Sequence, residues 1–164
     1  MHTSRTPLAI VTGLALILAP LIGWAFKLIS IGWFVVIVMF GPIVLLVAGY
    51  IVQIIIASQG FLSRRPLFGA RQRLATIAAW LTSVAVVLLG IVMPDGGDAY
   101  YGSTLQLWLG AYGPNGDAVH QATTGLNDTL FVICTLVWLG GFVWLVVEWV
   151  IALVRRSRER KAAA

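Results

Sequence analysis

From Thr129 to Arg160 the chain reads TLFVICTLVWLGGFVWLVVEWVIALVRRSRER. Apolar residues run from Thr129 to Val154 with one charged side chain, Glu148, and then stop at a block of arginines. A helix needs about 20 mainly apolar residues to cross a bilayer. The stretch meets that length, and its polar end marks where the membrane ends.

Three further runs have the same character, at residues 7–26, 31–57 and 74–93. The first two are nearly continuous. As one helix they would measure roughly 75 Å, far beyond a hydrocarbon core of about 30 Å. The chain must therefore turn back between them, and Lys27, Ser30 and Gly32 mark the place. The first run is longer than a signal-peptide core, and Ile22-Gly23-Trp24-Ala25 is not a small-residue cleavage site. It is read as an anchor that stays in place.

Composition agrees with four spans. Hydrophobic residues make up 60% of the 164 and charged residues 10%, with a mean hydropathy of +0.95. A soluble domain carries about 25% charge, and a chain this short cannot bury so much apolar surface in a core of its own. The sequence predicts an all-α membrane protein: a four-helix transmembrane bundle as a single domain. Its connections are a loop over 58–73, a loop over 94–128 and a basic tail over 155–164.

Cations set the expected orientation. Arg5 precedes the first span. Arg64, Arg65, Arg71 and Arg73 lie between the second and third. Arg155, Arg156, Arg158, Arg160 and Lys161 follow the fourth. Four crossings put all of these on one side, and only Lys27 falls on the other, together with Asp95, Asp98, Asp117 and Asp128. Short loops rich in Lys and Arg stay in the cytoplasm. Both termini are therefore expected inside a plasma membrane, with 94–128 outside.

Stripes at multiples of four residues carry many small side chains: Ala15, Ala19 and Gly23; Gly41, Gly49 and Ala57, with Gln53 on the same stripe; Ala75, Ala79 and Ser83; Gly140, Trp144, Glu148 and Ala152. Such stripes permit close helix approach in lipid. Pro20 and Pro42 lie inside spans, where proline can kink a helix.

Few side chains offer chemistry. Glu148, Gln53 and Thr76 should share the inner-leaflet level, forming a candidate polar site for a cation or proton. The bland alternative pairs Glu148 with Arg71, Arg73 or Arg156 to fix the helix end. Arg155, Arg156, Arg158, Arg160 and Lys161 are a candidate lipid-anchoring tail, because juxtamembrane cation clusters attract anionic head groups. Asp95, Asp98, Asp117 and His120 have metal-ligand chemistry, but lack a second histidine or a calcium-loop pattern. They are read as polar residues of a solvated, turn-rich loop whose acids sit outside, and Asp128 as an N-cap for the fourth span. One cysteine, Cys134, excludes an internal disulfide. No phosphate-binding glycine loop, zinc-protease helix or nucleophile elbow occurs. The basic tail lacks the interleaved aromatics of a nucleic-acid surface. No cofactor is expected.

The four spans, the short outer hairpin and the motif Met93-Pro94-Asp95-Gly96-Gly97-Asp98 resemble small uncharacterised four-span membrane proteins of GC-rich Gram-positive bacteria. The resemblance implies no activity and transfers no site residues. The expected role is non-enzymatic: a component that assembles with a membrane protein partner or with itself. The alternative is an oligomeric channel, transporter or phage-type pore built on the polar level around Glu148.

Overall fold

The computed structural model describes residues 6–63, 67–97 and 101–162. Helix α1 spans Pro7–Lys27, α2 Trp33–Phe40, α3 Ile43–Ile56, α4 Gln72–Val92, α5 Thr104–Trp108 and α6 Gly116–Ala162. Four helical segments are long and apolar enough to cross a bilayer: Pro7–Ser30, Ile43–Leu62, Gly69–Val92 and Gly116–Ala162.

Local chemistry fixes the ends. Thr6 caps α1 and Pro7 occupies its first turn, where a missing N–H costs nothing. The turn after α1 is a 3-10 segment, Leu28–Ser30, and extended Gly32 opens α2. The second run is not one helix. Gly41 and Pro42 separate α2 from α3, because Pro42 supplies no N–H. Past α3 the chain continues as a π-helix, Ala57–Leu62. A 3-10 turn, Gly69–Arg71, leads into α4, and Gly69 adopts φ +52°, which favours glycine.

The last helix departs most from expectation. The loop anticipated over 94–128 ends at Gly116, and α6 begins there. Pro114 is the last proline in the sequence, and beyond it helix runs unbroken for 47 residues, roughly 70 Å. Asp128 therefore lies inside α6 and is not its N-cap. The tail from Arg155 to Lys161 is a helical extension of the same element.

Helix α4 is the centre of the molecule. It packs against α1 on one side and α6 on the other, while the π-helical end of the second span closes on α1. Half of α4's span is buried, against 17–28% for the other three, so the exposed apolar surface belongs mainly to its neighbours. The stripe Ala75, Ala79 and Ser83 is buried along its whole length. Gly23 and Gly90 bring α1 and α4 into backbone contact: a Cβ on Gly23 would sit 2.6 Å from the Val86 carbonyl oxygen, and one on Gly90 would overlap the Gly23 carbonyl. On α6 the contact glycine is Gly141, packed on Thr82, whereas neighbouring Gly140 faces open space. Gly49 is likewise unopposed.

A short antiparallel pair, β1 (Asp95–Gly96) with β2 (Tyr101–Gly102), follows α4, and Asp95 aligns with Gly102. Helix α5 begins at a capping box. The Ser103 hydroxyl accepts from the Gln106 amide, and the Gln106 side chain accepts from the Ser103 N–H.

Candidate functional site: two buried polar levels

Membrane helices bury polar groups only where partners satisfy them. The chain does so at two levels, one near each end of α4.

The first lies at the arginine-rich end. Glu148 is 1% exposed. Arg71 grips it with two nitrogens, Nε at 2.6 Å from Oε2 and Nη2 donating at 2.7 Å to Oε1. Trp144, one turn earlier on α6, donates its indole N–H to Oε1 at 3.2 Å. The planar guanidinium suits this two-point grip on a carboxylate. Gln53 and Thr76 do not join it. Gln53 donates to the Leu16 carbonyl at 2.7 Å and ties the second span to α1. Thr76 donates back to Gln72 within α4. The three residues expected at one level form no shared hydrogen-bonded group. Beside the Glu148–Arg71 pair, a cleft of about 470 Å³ opens between the Leu67–Arg71 turn and the end of α6.

The second level lies at the opposite end, and the sequence reading missed it. Lys27, at the last turn of α1, is 3% exposed and pairs with Asp95, Nζ to Oδ2 at 3.1 Å. The ammonium also donates to the Ser30 and Met93 carbonyls at 3.0 and 3.3 Å. Asp95 accepts from the amides of Gly32 (2.9 Å), Phe34 (2.8 Å) and Gly96 (2.9 Å), so its carboxylate caps the start of α2 across the fold. Burial alone would raise the Asp95 carboxyl, but the Phe34 amide, the Lys27 ammonium and the Gly96 amide together hold it below the ordinary aspartate range. Asp95 was expected in a solvated loop; it is a buried junction instead.

The network continues through hydroxyls and amides. Ser30 and Thr104 share a hydrogen bond of 2.9 Å, and Thr104 donates to the Phe26 carbonyl at 2.8 Å. Ser103 donates to the Asn127 side chain at 2.6 Å, while Asn127 donates to the Val92 carbonyl at 3.0 Å. Gln106 reaches Thr123 on α6 at 3.2 Å. Ser30, Asp95, Ser103, Thr104, Gln106 and Asn127 are each at most 4% exposed. Five elements are thereby pinned at one end. One signal was legible: Ser103-x-x-Gln106 is a capping-box pattern. The Lys27–Asp95 pairing had none, since the two residues are distant in sequence.

Among the described residues no cluster of three or more metal-ligating side chains occurs. Asp98 lies outside the described residues. Asp117 and His120 sit in the first turns of α6, well along the chain from Asp95.

Compared with known protein families, curated proteins and solved structures, the chain matches none. Its class is that of a mainly helical protein with four segments long and apolar enough to span a bilayer.

Proposed function

We propose that the chain is a non-enzymatic structural component of a membrane complex, with its second span as the assembly surface. The observation that carries this reading is the break at Gly41–Pro42. Phe40 beside it is 90% exposed, Val44 and Leu45 are 72% and 76% exposed, and no side chain caps the start of α3. Lipid can cover the apolar side chains. The backbone beside the break is bonded locally, the Gly41 amide to the Ile37 carbonyl and the Leu46 amide to the Pro42 carbonyl, so what it presents is an apolar face at the head of the Ile43–Leu62 span, against which a second helix can pack as lipid does. The fitting occupant is a membrane helix, from a second copy or another protein, whose small residues let it pack closely against Phe40, Val44 and Leu45. The cation count orients the complex: the Arg71 end faces the cytoplasm of a plasma membrane, both termini included, and the Lys27–Asp95 end faces outward. In that orientation the α6 arginines and Lys161 anchor the chain to anionic lipid.

The channel or transporter reading depends on an available carboxylate at Glu148. Arg71 and Trp144 occupy both of its oxygens, which weighs against that reading. Photo-crosslinking separates the two. A photoreactive residue at Leu45 should capture a protein in native membranes, and mass then tells a second copy from a different chain. The same group at Leu136, 65% exposed on α6, should label lipid alone. Lipid-only labelling from both positions would remove the assembly surface.

A further inference from the structure

We infer that the cleft at the Arg71 end is a binding site for the phosphate head group of an anionic phospholipid. This rests on the lipid-anchoring reading of the basic helix end and goes beyond it: a shaped site takes one lipid, where a charged tail only attracts many.

Three observations point there. First, the cleft has a suitable size and a lining of both apolar and cationic residues. Its about 470 Å³ falls within the roughly 300–1,000 Å³ of small-ligand sites. Leu67, Phe68, Ile151 and Ala152 contribute apolar lining, and Arg71, Arg155 and Arg156 contribute cationic lining. A phospholipid needs that pairing, a cation for the phosphate and apolar surface for the glycerol and first acyl carbons.

Second, the cations are available. Arg155 and Arg156 are exposed and make no ion pair with any described residue. Arg71 spends one edge of its fork on Glu148, yet its side chain keeps 35% exposure. A guanidinium has five N–H donors, so two bonds to Glu148 leave others for a second oxyanion. Glu148 is neutralised by that pair, and Glu159 is the remaining acid on the wall.

Third, the site extends in one direction. Arg156 also lines an adjoining cleft with Gln59, Ser157, Arg160 and Lys161. Trp149 joins the two spans beside it, donating to Gln59 at 3.0 Å. Cations of α6 therefore line two clefts that share Arg156 where the apolar spans end. Arg158 lines neither cleft.

Arg158 supplies the internal control, because its loss removes the same charge from the same helix. The full chain is purified in a neutral detergent and titrated with phosphatidylglycerol or phosphatidylcholine. Retained lipid is counted by native mass spectrometry. One phosphatidylglycerol should be retained per chain in preference to phosphatidylcholine. Arg155→Gln and Arg156→Gln should each weaken retention by about fivefold or more, the effect of about 1 kcal/mol per cation. Arg158→Gln should stay within about twofold of the parent. All three side chains are exposed, and unchanged melting temperatures will show that the variants fold. Equal losses in all three would overturn the site and leave the general lipid-anchoring reading standing. No preference for phosphatidylglycerol in the parent chain would overturn both. Displacement of the lipid by millimolar inorganic phosphate would assign the cleft to a free anion and overturn the lipid.

Discussion

Lys27 and Asp95 bury opposite charges at the end of α1, and the cost of doing so shapes what each can be replaced by. Taking an ion out of water costs several kcal/mol, repaid only when its partner and remaining hydrogen bonds are in place. Here both are: Asp95 receives three amides besides the ammonium. Asp95→Asn removes the counter-charge and leaves the ammonium buried, so it should cost about 3–5 kcal/mol at neutral pH. The sign of the pH effect follows from the lowered carboxyl. The folded state holds the Asp95 proton more weakly than the unfolded chain does, so stability from this group is present above the ordinary aspartate range. It is lost as pH falls through that range toward the lower folded value. Thermal melts in detergent from pH 7 down to pH 3 should show a steep acid loss in the parent and a shallower one in Asp95→Asn. Equal slopes would mean Asp95 is not held as described.

At the scale of elements, α4 is defined by what it lacks. Its contact faces carry Ala75, Ala78, Ala79, Ser83 and Gly90, which let two helices approach its backbone. In lipid that approach replaces hydrophobic burial as the source of packing energy. Gly90→Ala would drive a methyl group into the Gly23 carbonyl. Overpacking costs about 1–3 kcal/mol, and a backbone obstacle puts this case at the upper end. Gly49→Ala meets nothing within 4 Å and gains helix propensity, so it should be neutral or stabilising by up to about 1 kcal/mol. Unfolding in mixed micelles with increasing dodecyl sulfate compares the pair. The stripe on α4 could be read from sequence because its spacing follows the helix repeat. On α6 the reading fell on Gly140, and the contact is made by Gly141. Adjacent small residues give sequence no means of choosing which faces a neighbour.

The whole molecule has two unlike ends. One carries paired and unpaired arginines around a cleft, and the other closes over a satisfied network tying α1, α2, α4, α5 and α6. Gly41–Pro42 breaks the chain between α2 and α3, beside the face proposed above for assembly. The orientation proposed for these ends is testable with the lone native cysteine, Cys134, replaced by alanine. A cysteine at Tyr112, 60% exposed, should react with a membrane-impermeant maleimide on intact cells. A cysteine at Ser157 should react only after lysis. The reverse pattern would invert the topology.

Sequence alone determined the number of apolar segments and the asymmetry of charge between the two ends. Both are sums over local residues, and neither requires knowing which helix faces which. It also placed the turn after Lys27 and the proline at the break, since backbone geometry is set within a few residues. Tertiary structure decided the pairings: Arg71 with Glu148, out of three cations considered; Lys27 with Asp95; Gly23 with Gly90; Ser103 with Asn127. It also turned residues 116–128 from an expected loop into helix. Each of these outcomes depends on the rotation and depth of helices distant in sequence, fixed only when their surfaces meet.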